Sequence, residues 1–162
     1  GKKRADMIIV TKCPNDIDEL AQQKIKDKLK VSQPIYFTSI AYDANVYNES
    51  GRLSVNEIKE EEKVVVAGIA KPKPFFDFLE AKAEETMVFS DHHNFEEKDI
   101  ITILNKAKNN KIITTEKDYV RLNDKLPKKQ LYYLPIQAKF LNASTDFDKK
   151  ITDYVEQSSR NR

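Results

Sequence analysis

Lys63-Val64-Val65-Val66-Ala67-Gly68 is the stretch whose reading decides the fold. The run is apolar without alternation and rich in β-branched residues, as expected of a strand covered on both faces. Such strands belong to parallel sheets with helices on either side. Downstream, Ile69-Ala70-Lys71 reads as a loop, and Pro72 or Pro74 suits a first helical turn. Phe75, Phe76, Phe78 and Leu79 form that helix's apolar side. Thr86-Met87-Val88-Phe89 reads as the next buried strand. Asn94, with Glu97 three residues on, predicts the cap of a helix whose apolar face is Ile100, Ile103, Leu104 and Ala107, ending at Asn109-Asn110. Lys111-Ile112-Ile113-Thr114 is a further strand, and Thr115 with Asp118 caps a short helix. Leu131-Tyr132-Tyr133-Leu134 reads as the last strand, closed by Pro135. Thr145 is expected to cap a final helix with Phe147, Ile151, Tyr154 and Val155 on one face, and Gln157 to Arg162 reads as a frayed polar tail.

Upstream, Met7 to Val10 is a candidate core strand and Ile35-Tyr36-Phe37-Thr38 a second. Between them Asn15 and Asp18 predict a cap for a helix carrying Ile17, Leu20, Ala21, Ile25 and Leu29, with Lys24, Lys26, Lys28 and Lys30 crowding its end. Asn45-Val46-Tyr47 and Arg52-Leu53-Ser54-Val55 flank Asn48-Glu49-Ser50-Gly51 as a polar hairpin, expected to project as an arm. Glu57 to Glu62 reads as an acidic linker. The resulting expectation is an α/β fold: three layers, α/β/α, around a mostly parallel sheet, plus a projecting two-stranded hairpin. Residues 1–40 would start the α/β domain, 41–62 form hairpin and linker, and 63–162 complete it.

Composition narrows the function classes. The 162 residues suffice for one domain with a real core. Basic and acidic residues, 28 and 26, are interspersed for a net charge of +2, which does not suggest a nucleic-acid surface. No apolar run approaches the ~20 residues that span a bilayer, and no signal-peptide core is present. Cys13 is the single cysteine, so an internal disulfide is excluded; it reads as an inert thiol in a reducing compartment. Glycine occurs only at 1, 51 and 68. Phosphate-cradling loops need closely spaced glycines, and neither GxxxxGK[ST] nor GxGxxG occurs. Gly1-Lys2-Lys3-Arg4 followed at once by a core strand reads as the start of an excised piece of a longer protein.

Both histidines lie in Ser90-Asp91-His92-His93-Asn94, at the carboxyl end of an expected strand, where ligands bind open α/β sheets. A histidine there could bind a phosphate, move a proton or ligate a metal, with Asp91 orienting a ring. The same residues also read as an exposed turn, and adjacent histidines leave a turn in different directions, so at most one faces a given site. Ala67-Gly68-Ile69-Ala70-Lys71 could face an anion or merely pack a crossover tightly. Lys117 could meet a phosphate, but capping accounts for Thr115 and Asp118, and Glu116 suits a helix start.

In order, these segments resemble one family. Val64 to Pro72 with Phe75-Phe76 resembles the AGIGxPxxFF segment of tetraacyldisaccharide 4'-kinases. Phe89 to Phe95 resembles their FPDHHxF segment, with Ser90 where proline is common. Ile113 to Val120 is similar to TEKDAVK, Tyr132 to Ile136 to a WYLPV-type strand, and Arg4 to Lys12 to the RAD-hydrophobic strand that opens the second half of such enzymes. The resemblance implies the C-terminal domain of a P-loop-kinase-like enzyme of lipid A biosynthesis. Such an enzyme transfers the γ-phosphate of ATP, with Mg²⁺, to the 4'-hydroxyl of a tetraacyldisaccharide 1-phosphate. It further implies an N-terminal Walker A domain as the chain's own partner, absent here, and holding most of the ATP and Mg²⁺ contacts. The lipid A disaccharide precursor and the cytoplasmic face of the Gram-negative inner membrane are the other implied partners, while this fragment is expected to be soluble and inactive alone. The hairpin around Gly51 would be the link between domains. Of the family's site residues, His92 is expected to face the nucleotide phosphates, with Asp91 supporting it and no metal ligand in this piece; no role carries over to Lys71, Glu116, Lys117 or Asp118. A metal-dependent phosphoesterase named for a DHH motif, or a stand-alone nucleotide- or metal-binding module, is the alternative, although the aspartates of a two-metal site are not found after the other strands.

Overall fold

The computed structural model describes residues 4–160, so Gly1-Lys2-Lys3 and the Asn161-Arg162 end of the expected tail lie outside the described residues. The chain divides into two compact units: one runs from Tyr42 to Ile136, and the other is built from the chain up to Ala41 and from Gln137 onward.

In the Tyr42–Ile136 unit the strands are β3 (Asn45–Asn48), β4 (Gly51–Ser54), β5 (Lys63–Ala67), β6 (Thr86–Val88), β7 (Lys111–Thr115) and β8 (Leu131–Leu134). They form one sheet in the order β4-β3-β8-β7-β5-β6. β8, β7, β5 and β6 run parallel, with Val64 opposite Ile112 and Val65 opposite Thr86. All five residues of β5 are buried because the strand is central and both faces are covered. Val65 and Ala67 join Phe75, Leu79, Val55 and Ile58 on one side. Val64 and Val66 join Phe95, Ile103, Ala107 and Leu122 on the other. The helices α2 (Val55–Glu60) and α3 (Lys73–Phe78) thus supply one layer, and α4 (Glu97–Ala107) and α5 (Glu116–Leu122) the other. This is the expected three-layer arrangement; each large apolar side chain so buried contributes about 1.5–3 kcal/mol.

Several local expectations need correcting. The strand before the histidines is not doubly covered: β6 is the sheet edge and Val88 is 61% exposed. Most of the expected acidic linker is α2. Ser54 caps it, Glu57 accepts from the Ser54 N–H at 3.1 Å, and Val55 and Ile58 turn inward, so burial outweighs the charge run. The hairpin lies at the expected residues, its turn held by Asn48 Oδ1, which accepts from the N–H groups of Ser50 and Gly51. It is anchored close to that turn, since β3 pairs antiparallel with β8 at Tyr47–Tyr133 and so extends the sheet. α4 starts two residues later than its sequence cap suggests: Glu96 is the cap, and Asp99 accepts from its N–H at 2.9 Å.

The other unit holds a three-stranded sheet in the order β1 (Ile8–Val10), β2 (Ile35–Tyr42), β9 (Ile136–Phe140). β1 is an edge strand paired parallel to β2, and Ile9 is exposed, so the expectation of a core strand does not hold. β9 follows the strand expected to be last. Asp18 rather than Asn15 caps α1 (Glu19–Leu29), accepting from the Ala21 N–H at 2.6 Å. α6 (Ser144–Arg160) already includes Thr145, and it continues as helix through Gln157, where a frayed tail was expected. Tyr36 packs edge-on against Phe140 and Phe147, and its hydroxyl donates to Asp146 at 2.6 Å. Burial and that bond push the Tyr36 phenol up to about 12.

Candidate functional site

The parallel strands set the position of the site. The chain leaves β5 toward β6 on one side and then returns past β5 to β7, so the connections diverge between β5 and β7. At such a switch point loops separate and leave a crevice at the carboxyl ends of the strands. Three junctions meet there: Gly68 after β5, Phe89 to Glu96 after β6, and Thr115 with the first turn of α5 after β7.

The two histidines, adjacent in sequence, are separated by the backbone. His92 has φ 60°, in the left-handed region, which costs a non-glycine residue of order 1 kcal/mol or more. Asp91 Oδ1 accepts from the His92 N–H at 3.0 Å and stabilises that bend. The His92 side chain is 72% exposed. Its Nε2 lies 3.7 Å from Asp91 Oδ2 and 3.4 Å from Lys117 Nζ, which donates to Asp91 Oδ1 at 3.1 Å. The Lys117 bond, with His92 assisting, holds the Asp91 carboxyl below its ordinary range.

His93 turns the other way. Its ring packs against Phe89 at 4.9 Å and edge-on against Phe95 at 5.1 Å. Nε2 meets Asp99 Oδ2 at 2.8 Å and Nδ1 meets Ser90 Oγ at 3.4 Å, so both ring nitrogens are engaged. The Glu96 N–H and then His93 hold the Asp99 carboxyl below its ordinary range. His93 therefore pins the loop to the start of α4.

Beneath this loop lies a contact that sequence reading missed. Asp118 is fully buried. Its Oδ2 accepts from the Gly68 N–H at 2.8 Å and from Thr115 Oγ1 at 2.8 Å. Oδ1 has no hydrogen bond, and Arg121 Nη1, likewise buried without one, stands 3.6 Å away. A Cβ on Gly68 would sit 3.1 Å from Asp118 Oδ1 and 3.4 Å from the Ser90 carbonyl oxygen, which accounts for glycine at this close approach. Thr115 does cap α5, accepting from the Asp118 N–H at 3.2 Å. The cap was readable from the three-residue spacing, whereas the bond to Gly68 spans 50 residues and left no local signal.

Of the residues singled out in sequence, the fold brings Asp91, His92 and Lys117 together, with Gly68 and Asp118 below them. Lys71 makes none of the described contacts here, and Glu116 accepts from the Ile136 N–H at 3.4 Å instead. Cys13 belongs to the other unit, where its Sγ lies 3.5 Å from the Val10 carbonyl oxygen. The donor set suits an anion better than a cation: one exposed carboxylate already neutralised by a lysine, one imidazole and an ammonium. Among the described residues no three His, Cys, Asp or Glu side chains converge as a metal site. The residues present thus do not fit Mg²⁺ or a two-metal phosphoesterase centre.

Comparison with known proteins follows the same residues. The family model for tetraacyldisaccharide-1-P 4'-kinase (LpxK) matches residues 1–156. A tetraacyldisaccharide 4'-kinase of Flavobacterium psychrophilum is 52% identical over 165 residues, covering 99% of this chain and 48% of the relative. One from Flavobacterium johnsoniae is 48% identical over 160 residues, covering 98% and 47%. The chain therefore spans about half the length of the curated relatives it matches. The crystal structure of "apo" form LpxK from Aquifex aeolicus in complex with ATP superposes with a TM-score of 0.57 at 18% identity, covering 94% of this chain and 43% of that one. At that identity the likeness shows a shared α/β fold.

Proposed function

Because the chain belongs to the tetraacyldisaccharide-1-P 4'-kinase family, we propose that it is the C-terminal part of such a kinase and supplies one wall of its active-site cleft. In the reaction the γ-phosphoryl group passes from ATP to the 4'-hydroxyl of a tetraacyldisaccharide 1-phosphate. The bond from phosphorus to the bridging oxygen of ADP breaks, a bond to the sugar oxygen forms, and the hydroxyl proton is released. A Walker A domain elsewhere in the full-length protein holds the nucleotide and Mg²⁺, and the acceptor is met at the cytoplasmic face of the inner membrane. Residues 1–40 and 63–162 form the α/β part on this reading, and 41–62 the hairpin and linker toward the partner domain. The absence of a glycine-rich phosphate loop from this sequence and the half-length match to the relatives support this division.

The observation that carries the site is the separation of the histidines. His93 spends both ring nitrogens on Ser90 and Asp99, whereas His92 is presented to solvent at the carboxyl edge of the parallel strands. His92 is the residue that contacts the phosphates, and Asp91 supports it by holding the bend that presents it. Phosphoryl transfer places negative charge on equatorial oxygens, and a positioned donor there stabilises it. No step assigned to this chain runs through Mg²⁺, because its side chains do not fit the ion.

His92→Ala in the full-length enzyme is expected to lower kcat by roughly a hundredfold with an unchanged melting temperature. A normal kcat in a folded His92→Ala enzyme would remove His92 from the site. Phosphoryl transfer by residues 1–162 alone, with ATP, Mg²⁺ and the lipid acceptor, would overturn the claim that this part is inactive by itself.

A further inference from the structure

Thr115-Glu116-Lys117-Asp118 has no part in the reaction as read above, yet the first turn of α5 reaches His92 by two routes. The upper route is Lys117. Its Nζ lies 3.1 Å from Asp91 Oδ1 and 3.4 Å from His92 Nε2, so one ammonium bridges the supporting carboxylate and the ring. An ammonium donates and cannot accept. Contact with Nε2 therefore makes that nitrogen the acceptor, and the proton of the neutral ring sits on Nδ1. The Nδ1–H has no partner among the described residues and remains available to an incoming oxygen.

The lower route is Asp118. Its carboxylate binds the Gly68 N–H at the end of β5, and the missing Cβ of Gly68 leaves room for Asp118 Oδ1 on one side and the Ser90 carbonyl oxygen on the other. Ser90 immediately precedes Asp91, and its carbonyl oxygen accepts from the His93 N–H at 3.1 Å, closing the turn that carries His92. The α5 turn thus grips the bend from above through Asp91 and supports it from below through Gly68.

We infer that Lys117 and Asp118 are positioning residues for His92. Asp118 sets the floor of the histidine turn, and Lys117 fixes the place of the ring and which of its nitrogens carries the proton, leaving Nδ1–H as the donor to an anionic phosphoryl oxygen. The inference rests on the reading of His92 given above. The rival role for Lys117 is direct contact with a phosphate of the nucleotide, which would show in ATP binding rather than through His92.

The test is a cycle in the full-length enzyme, reading kcat and KM for ATP in Lys117→Met, Lys117→Arg, His92→Ala and the double variant His92→Ala/Lys117→Met. Lys117→Met is expected to lower kcat about tenfold while KM for ATP moves by less than about twofold. Lys117→Arg, which keeps a cationic donor, recovers most of the rate. The double variant is no slower than His92→Ala, because a residue acting through the imidazole has nothing left to act on. Asp118→Asn is expected to show the same absorption into His92→Ala; if it does not fold, the Lys117 cycle still decides the ring's positioning. Losses that multiply in the double variant, or a raised KM with unchanged kcat in Lys117→Met, overturn the positioning role. A large loss in His92→Ala with none in Lys117→Met sinks this inference while leaving the site reading intact; no loss in His92→Ala sinks both.

Discussion

The turn after β6 and the seam beneath it use similar chemistry to opposite ends. Above, Asp91, His92 and Lys117 form a charged cluster in which every side chain is at least two-fifths exposed. Below, Asp118, Thr115 and Gly68 form a carboxylate-centred cluster, and Asp118 is fully buried. Water screens the first, so its ion pairs contribute little to stability and its groups remain free to meet a ligand. The second has no water to fall back on, so each bond is expensive to lose. Histidine repeats the division within one dipeptide, with His93 holding the loop and His92 presented by it.

The largest expected effect that sharpens this contrast is in the seam. Asp118→Ala leaves the Gly68 N–H, Thr115 Oγ1 and Arg121 without their carboxylate partner and should destabilise by about 3 kcal/mol, read by denaturant unfolding. A loss below about 0.5 kcal/mol would mean that water replaces the carboxylate and that the two regions do not differ. Next comes His93→Ala, which removes the ring from between Phe89 and Phe95 and should cost about 1–2 kcal/mol, against less than about 0.5 kcal/mol for His92→Ala. Equal losses at the two histidines would erase the distinction. The smallest effect is the acid response. The Asp99 carboxyl is held below its ordinary value of 3.8 by the Glu96 N–H and His93. A depressed folded pKa stabilises above the unfolded pKa, and this contribution fades as pH falls through the lower folded value. Between neutral pH and about 4 it should persist, and below that Asp99→Asn should converge on the parent protein in melting temperature; a constant offset down through the acid range would contradict the bond.

How much of this was legible in the chain depended on how local the cause was. The Val64–Ala67 run revealed the doubly covered sheet because burial on both faces leaves an unbroken apolar signature. Thr115 and Asp118 revealed a cap because donor and acceptor are three residues apart. α2 was hidden because Glu57 to Glu62 looks like a solvated charge run, and only Val55 and Ile58 mark its inner face. β9 was hidden because Ile136-Gln137-Ala138-Lys139-Phe140 follows directly on Pro135, which reads as a strand end, and its short alternation is not matched by burial, since four of its five residues are exposed. At the site, the strand-end position of Asp91-His92-His93 was readable. The choice of His92 came only from the family resemblance; the physical cause of the choice was not readable, since it lies in a left-handed φ at His92 and in Asp99, six residues past His93. The Lys117–Asp91 bond spans 26 residues and depends on β6 and β7 flanking the same strand, which is a property of the sheet order rather than of either segment.

The division of the chain also sets an order of events during synthesis. Everything the Tyr42–Ile136 unit needs is contiguous, and its two ends are already tied where the Asp43 N–H donates to the Pro135 carbonyl oxygen at 3.0 Å. Once Ile136 clears a ribosome, this unit has its full sheet and both covering layers. The other unit has β1, α1 and β2 before it, but its third strand and α6 follow only after it in the chain. Its first segments wait through the entire translation of the inserted unit before their partners exist. Closing a loop of that length costs entropy that the short internal connections of Tyr42–Ile136 avoid. The histidine turn is therefore shaped before the sheet of the other unit can be completed.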